Sequence, residues 1–351
     1  MRQLEAPALP GHLTETLDRL CSLAAGPVGV AVSGGGDSLA LMALAADWGR
    51  ARGREMLALT VDHRLRPESA GEAEFVAATA RRLDIPHRTL EWDTPVARQS
   101  AARTARHALL AAAAEEAGSR LVLTAHTEDD QAETFLMRAR AGSGWYGLAG
   151  IQPVAVTPTT GPGSDTLLLR PLLQVSRSAL RLDLAGRELH WIEDPSNDNP
   201  AFERVRMRRL LRDNPELMPR ILGCQRCLQG VRALTDGALW RWLGTVSCGP
   251  EGALETDTAL PGGETGPRAL SLLIQTAALR ARPPRQDALA RLARRLAAPR
   301  PFRPATLGGA VISREAGRLR LVAEHPLAPD MVKAVPARLA AVRTACSGGR
   351  D

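Results

Sequence analysis

The sequence predicts an α/β protein: a doubly wound parallel sheet followed by a smaller, mainly helical C-terminal domain. Three observations predict it. Through the first 150 residues, short apolar runs alternate with stretches of helical apolar spacing, the pattern of strands buried on both faces and joined by crossover helices. The notable polar residues gather just past the ends of those runs, where such sheets bind ligands. The charge is divided: −5 over residues 1–200 and +12 over residues 201–351, for a total of +7. A basic second part joined to an acidic first part suits polyanion binding in one and chemistry in the other.

The elements follow in order. "VGVAVS" (28–33) is a first strand and "DSLALMALAADWGRA" the helix after it. "EMLALTVD" (55–62) and "HRTLEW" (87–92) are strands, with helices over 68–84 and 98–118. "RLVLTAH" (120–126) is a fourth strand, followed by a helix from Glu128 to Arg140. Residues 152–166, rich in Pro, Gly, Thr and Ser, read as a surface loop, and 167–173 as a strand entering a Pro-containing turn. Helices are expected from Ser176, from Ala201 and over Pro219–Leu243, and residues 268–299 are expected to be helical. A Gly/Pro-rich loop with one short strand, "ALETD", fills 244–267, and a β-hairpin lies near 306–324. The domains are expected at 1–215 and 216–330, with 331–351 a flexible tail.

Five scattered cysteines argue against a disulfide framework. Cys224 and Cys227 form a C-x-x-C without a second pair, which reads as two cysteines one helical turn apart. No run of 18 apolar residues occurs, and no export signal is visible. The expectation is a soluble cytoplasmic protein.

The loop Ser33-Gly34-Gly35-Gly36-Asp37-Ser38 turns the first strand into a helix. Glycines let the backbone approach a ligand, and a helix N-terminus favours an anion. A phosphate group is the physical default, with a plain tight turn as the alternative. The Walker A loop needs a lysine that is absent, and the dinucleotide fingerprint needs a third glycine where Leu39 stands. What remains, S-G-G-x-D-S after a first buried strand, resembles the pyrophosphate loop of the N-type ATP pyrophosphatases (PP-loop ATPases, with the adenine nucleotide α-hydrolase-like fold). Those enzymes cleave ATP to AMP and pyrophosphate. Asp37 suits a magnesium ion bridging phosphate oxygens.

Further blocks follow: "VDHRLRPESAGEAEFV" (61–76), "QSAARTARH" (99–107), "LTAHTEDDQAETFLMR" (123–138), "GSGWYGLAGI" (142–151), "RPLL" (170–173) and "DPSNDNPAF" (194–202). In that order they resemble the tRNA(Ile)-lysidine synthase family. The resemblance is continuous over roughly residues 25–215 and weaker in the C-terminal part, whose helices and hairpin resemble the family's substrate-binding domain. It implies ATP and Mg2+ as cofactors, and free lysine and the CAU-anticodon isoleucine tRNA as substrates. In that reaction ATP adenylates C2–O of the wobble cytidine, and the ε-amine of lysine then displaces AMP to form lysidine.

The candidate site residues are these. Ser33, Gly34, Gly35, Gly36, Asp37, Ser38 and His126 are assigned to the nucleotide, and Asp37 and Asp130 to the metal. Asp37, Asp129, Asp130, Glu133 and Arg106 are assigned to catalysis. Asp129 and Glu133, at i and i+4, share a helix face and can hold a cation, although acids at a helix start also complement its dipole. His126 reads equally as a phosphate contact or a core histidine. Arg103, Arg106, Glu133, Arg204 and Arg208 are assigned to lysine or tRNA, since guanidiniums suit carboxylate and phosphate. Arg206, Arg209 and Arg212 complete a basic helix. Trp145 and Tyr146 read either as base-stacking or as loop-packing residues, and Asp62 as a ribose contact or a turn cap. Two positions depart from the family pattern: Ala141 stands at an expected Arg, and Val205 at an expected Asn. The rival readings are a PP-loop tRNA thiolase and an inactive RNA-binding relative. No cysteine lies between Asp37 and Asn197, which opposes the thiolase, and the loop acid and "DDQAE" oppose the inactive relative.

Overall fold

The computed structural model describes residues 11–64, 69–93, 99–193, 199–298, 301–315 and 317–348. The chain divides into two compact units, one of residues 1–154 and 168–232, the other of residues 155–167 and 233–351.

The first unit alternates strand and helix as expected. It runs α1 (Leu13–Cys21), β1 (Val28–Ala31), α2 (Gly36–Arg52), β2 (Met56–Asp62), α3 (Ser69–Arg82), β3 (His87–Glu91), α4 (Gln99–Glu116), β4 (Leu121–Leu123), α5 (Glu128–Arg140) and the short α6 (Trp145–Leu148). Strands β5 (Val154–Val156) and β6 (Leu167–Leu169) are followed by α7 (Arg177–Gly186), α8 (Glu203–Asp213) and α9 (Leu217–Leu243). The six-stranded sheet has the order β3-β2-β1-β4-β6-β5. β1 lies in the middle, parallel to both β2 and β4, with Val28 opposite Met56 and Leu121. The chain winds outward from β1 to β3, then returns to place β4 on the other side. Connections from β1 and β4 therefore diverge, and a crevice opens between them at the strand ends. Val28, Val30, Leu121 and Leu123 are buried, as strands covered on both faces require. α2 buries ten residues, from Ser38 to Gly49, and so forms a central helix whose N-terminus points from the core into the crevice.

The second unit holds helices, as expected, and in addition a sheet. β7 (Ser247–Cys248), β8 (Leu254–Thr256), α10 (Thr265–Ala277), α11 (Gln286–Ala297), β9 (Ala305–Leu307), β10 (Ala310–Glu315), β11 (Arg318–Ala323) and α12 (Pro329–Ser347) follow the end of α9. The strands are ordered β7-β8-β11-β10-β9, and each neighbouring pair is antiparallel. Its core joins Leu239 and Leu243 to Leu273, Ile274, Leu292, Leu296, Ile312, Leu321 and Leu339.

Three expectations are corrected. Residues 268–299, expected to be helical, hold two helices with a break between Ala277 and Gln286, where Pro283 and Pro284 supply no backbone N–H and disfavour helical geometry in the residue before them. The tail expected to be flexible is the helix α12. Val335, Leu339, Val342 and Cys346 recur at helical spacing and are buried, which outweighs Pro336 inside the helix. The stretch 152–166, read as a surface loop, contains β5 and buries Thr157, Thr159, Ser164 and Thr166, and residues 155–167 belong to the second unit. There the buried Arg338 of α12 donates to the carbonyls of Thr159, at 3.1 Å, and Ser164.

Candidate active site

The loop after β1 is shaped from within. The Ser33 N–H donates to Ser38 Oγ at 3.1 Å, and Ser38 Oγ donates to the Gly35 carbonyl at 2.8 Å. Both hydroxyls thus tie the loop to itself and lie 3.2 Å apart. Gly34 has φ +85°, and a Cβ there would stand 2.7 Å from Ile192 Cδ1. The Ile192 N–H donates to the Gly34 carbonyl at 2.9 Å. A Cβ at Gly36 would meet the Trp191 indole at 3.4 Å. The segment at Trp191 and Ile192 is therefore a strap pressed on the loop, and Gly34 and Gly36 are the residues that let it approach. Gly36 and Asp37 open α2, so their N–H groups have no partner within the helix and are available to an anion.

Across the crevice, α5 begins with a capping box. The Thr127 N–H donates to Asp130 Oδ2 at 2.9 Å, and the Asp130 N–H points back at Thr127 Oγ1. Asp130 thus caps its helix with one oxygen and leaves the other for the site.

One residue missed in the sequence organises the cluster. Arg177, the first residue of α7, places its Nε 3.0 Å from Asp37 Oδ2. Its terminal nitrogens lie 3.4 Å from Asp130 Oδ1, 3.4 Å from Glu133 Oε1 and 3.9 Å from Asp129 Oδ1. Its backbone N–H donates to Asp129 Oδ2 at 2.8 Å. A single guanidinium thus gathers all four acids assigned to catalysis. Burial works against its charge, but Asp37, Asp130, Asp129 and Glu133 outweigh burial and hold it protonated above its ordinary value. Asp37 is raised, first by burial and then by the nearby Asp130 and Asp129, against the pull of Arg177. A signal was present: a cation in the first turn of a helix opposes the dipole and needs acids to hold it.

Glu133 is only 1% exposed. Arg208 Nε donates to its Oε1 at 2.9 Å, and Arg204 Nε lies 3.1 Å from Oε2, an ion pair without a hydrogen bond, so Oε2 is buried with no hydrogen-bond donor. Arg204 and Arg208 therefore buttress this acid.

A second field lies beside the first. Desolvation, then Arg204, lowers Arg103, and desolvation, then Arg103 and Arg204, lowers Arg106. Both nevertheless keep exposed surface. Burial, then Arg103 and Arg138, brings Arg170 down to about 10. His107 is buried, neither ring nitrogen has a partner, and burial with Arg106, Arg103 and Arg170 brings it to about 4. His126 falls to about 3, through burial and then Arg170, so it is neutral and hydrogen-bonds Thr124 Oγ1 at 3.1 Å. Mutually weakened cations beside clustered carboxylates make a zwitterionic site. It fits an ammonium group on one side and phosphate or carboxylate on the other.

The remaining candidates lie elsewhere or act as packing. Asp62 Oδ1 accepts the Arg64 N–H at 2.8 Å, a turn cap. Trp145 and Tyr146 pack edge to face, and the Arg232 guanidinium covers Tyr146 at 4.0 Å. Cys224 and Cys227 are exposed on α9, and among the described residues no His, Cys and acid side chains group as a metal site. The D-P-S-N block falls on residues 194–197, outside the described residues. Of the two departures, Val205 is buried in α8, and Arg140 next to Ala141 pairs with Glu203 at 2.7 Å.

A glycine loop aimed into a crevice of clustered acids defines a class. Residues 12–215 match the family described as the PP-loop domain, so the first unit is a PP-loop domain. The chain is 47% identical over 343 residues to the tRNA(Ile)-lysidine synthase of Hyphomonas neptunium, covering 97% of this chain and 90% of that protein. It is 40% identical over 333 residues to the same enzyme of Rhodopseudomonas palustris, covering 86% and 92%. The chain belongs to the tRNA(Ile)-lysidine synthase family. Among solved structures, the U34-tRNA thiolase NcsA of Methanococcus maripaludis aligns at TM-score 0.47 with 16% identity, over 65% of this chain and 86% of that one. Among the described residues no helix is long and apolar enough to cross a membrane.

Proposed function

We propose that this protein ligates free lysine to C2 of the wobble cytidine of the CAU-anticodon isoleucine tRNA at the expense of ATP. The observation that carries the reading is the pairing of the Ser33–Ser38 loop with the acids gathered on Arg177. In the first step the cytidine C2 oxygen attacks the α-phosphorus of ATP and pyrophosphate leaves. The N–H groups at the start of α2 receive the pyrophosphate charge. In the second step the lysine ε-amine attacks C2, and AMP departs with the oxygen. The amine must shed protons as it attacks. Asp37, Asp129 and Asp130 are the carboxylates that can hold the ammonium group and take a proton, while Arg103 and Arg106 face the anionic groups.

Magnesium is consistent with the donor set. Asp37 and Asp130 offer hard carboxylate oxygens and are the residues that would hold the ion; both are paired with the single guanidinium of Arg177, with which an ion would share them. When bound, it would neutralise charge on the leaving pyrophosphate. The chain has no cysteine from Asp37 to Asn197 with which to carry sulfur, which favours an amine nucleophile over a thiolase.

The test is incubation with Mg-ATP, labelled lysine and unmodified tRNA. Label in wobble-cytidine tRNA, dependent on ATP, is expected. ATP cleavage without transfer of lysine, in the presence of that tRNA, would refute the reading.

A further inference from the structure

The cation held by the four acids belongs to the chain itself. Arg177 does not grip any one carboxylate with its fork. Only its Nε makes a short contact, 3.0 Å from Asp37 Oδ2. Its terminal nitrogens lie 3.4 Å from Asp130 Oδ1 and Glu133 Oε1 and 3.9 Å from Asp129 Oδ1. Structural Arg–carboxylate pairs are frequently bidentate, with two parallel bonds to one partner. Arg177 instead stands among four acids, as a hard ion stands among oxygens. Its backbone is fixed separately. The Arg177 N–H donates to Asp129 Oδ2 at 2.8 Å, and the Glu128 N–H donates to the Val175 carbonyl at 3.0 Å. The start of α7 is thus tied to α5 whatever the Arg177 side chain does, and that side chain keeps 16% of its surface open to solvent.

The charge balance has a consequence for binding. Among the described residues the four carboxylates face three guanidiniums, Arg177 in their midst and Arg204 and Arg208 on Glu133. A bare divalent ion added to that set would leave a largely buried site net positive, with no counter-charge for the excess. A triphosphate reaching the start of α2 brings the negative charge that lets an ion and a guanidinium stay together. Without Arg177, Asp37, Asp129 and Asp130 would keep no cationic partner among the described residues. We infer that Arg177 is a resident counter-cation that closes the acid cluster to bare divalent ions and opens it when nucleotide phosphates arrive, so that the metal enters with ATP and not before it. Guanidiniums match phosphate oxygens, so the arriving phosphates draw Arg177 toward themselves and free oxygens of Asp37 and Asp130 for the ion. The inference rests on the function proposed above, which supplies the nucleotide and the ion. It adds the order in which they bind and makes Arg177 a positioning residue.

The experiment titrates the full chain with Mn2+ alone, in metal-free buffer at fixed pH, and reads bound ion by calorimetry and by loss of the free-ion paramagnetic resonance signal. Arg177→Met is expected to bind the bare ion at least about tenfold more tightly than the wild type, a lower bound for removing a like charge within a few ångströms of it. Adding Asp130→Asn to that variant is expected to abolish the gain, which locates the ion in the cluster. Arg177→Lys keeps a cation beside the acids and is expected to stay within about threefold of the wild type. Should Arg177→Met fold poorly, Arg177→Gln keeps hydrogen-bond donors without the charge and shares its expectation. With α,β-methylene-ATP present, which is not cleaved at the α–β bond, the ratio between wild type and Arg177→Met is expected to shrink. A wild type that binds bare Mn2+ as tightly as Arg177→Met overturns the inference. So does a gain that survives Asp130→Asn, a Lys variant that behaves like the Met variant, or a ratio that the nucleotide analogue leaves unchanged. In those cases a wild type that binds the analogue leaves the proposed function standing and only the order of binding is lost. If the wild type fails to bind the analogue at all, the proposed function falls and the inference with it.

Discussion

Replacing Arg177 by Met leaves four carboxylates around a hole of similar volume. Its side chain is 16% exposed, and those of Asp37, Asp129, Asp130 and Glu133 are 24%, 25%, 11% and 1% exposed. Removing one partner of a buried ion pair costs about 3–5 kcal/mol, because the other charge stays buried and unpaired. Two of these acids keep about a quarter of their exposure, and Arg204 and Arg208 still hold Glu133, so the lower end, about 3 kcal/mol, applies at pH 8. The pH dependence follows from the direction of the shift. Asp37 is already raised above its ordinary value by burial, and loss of Arg177 raises it further. A carboxyl raised in the folded state stabilises it fully below the unfolded pKa, and that contribution is lost as pH rises through the folded value. The deficit of the variant relative to wild type therefore grows from pH 5 to pH 8. For a unit of this size 3 kcal/mol corresponds to a fall in thermal midpoint of about 6–12 °C. Thermal unfolding of both proteins at the two pH values measures it. A variant within about 1 kcal/mol of wild type at pH 8, or one with an equal deficit at pH 5, would refute the view that Arg177 neutralises this cluster.

Asp37→Ala is expected to lower tRNA-dependent pyrophosphate release by at least about a hundredfold while the Kd for tRNA is unchanged; loss of tRNA binding instead would contradict the separation of roles. Gly34→Ala combines a positive φ with a clash against Ile192, so it is expected to raise the KM for ATP several-fold, with Trp191→Ala acting in the same direction and Trp191→Phe less. Leu339→Ala in α12 is expected to destabilise the second unit by about 2–5 kcal/mol in urea unfolding, because the side chain is 3% exposed within the core; a neutral result would return the segment to a loose tail.

What the sequence made legible was local. The Ser33–Ser38 turn, the parallel alternation and the acids at Asp129, Asp130 and Glu133 each lie within one element and its period, and periodicity is what a single sequence displays. Arg177 was legible only as a cation opening a helix; its partner Asp37 lies 140 residues away, and no local spacing connects them. Trp191 and Ile192 carried no local signal of their role, although the glycines they cover, Gly34 and Gly36, stood out. Arg204 and Arg208 were legible as a basic pair one turn apart, but that spacing says nothing of what they face. They face Glu133, 75 residues from Arg208. The reading of residues 331–351 as a tail passed over the repeat of Val335, Leu339, Val342 and Cys346, a signal of a buried helix face.

The central claim is that ATP activates the base, so that AMP leaves carrying the oxygen of cytidine C2. The most direct measurement uses tRNA whose wobble cytidine carries ¹⁸O at C2, with unlabelled lysine, and reads the AMP by mass spectrometry. The account predicts one ¹⁸O in the AMP for each lysine incorporated. AMP without ¹⁸O from that tRNA, or label reaching AMP from ¹⁸O-carboxylate lysine instead, would contradict it.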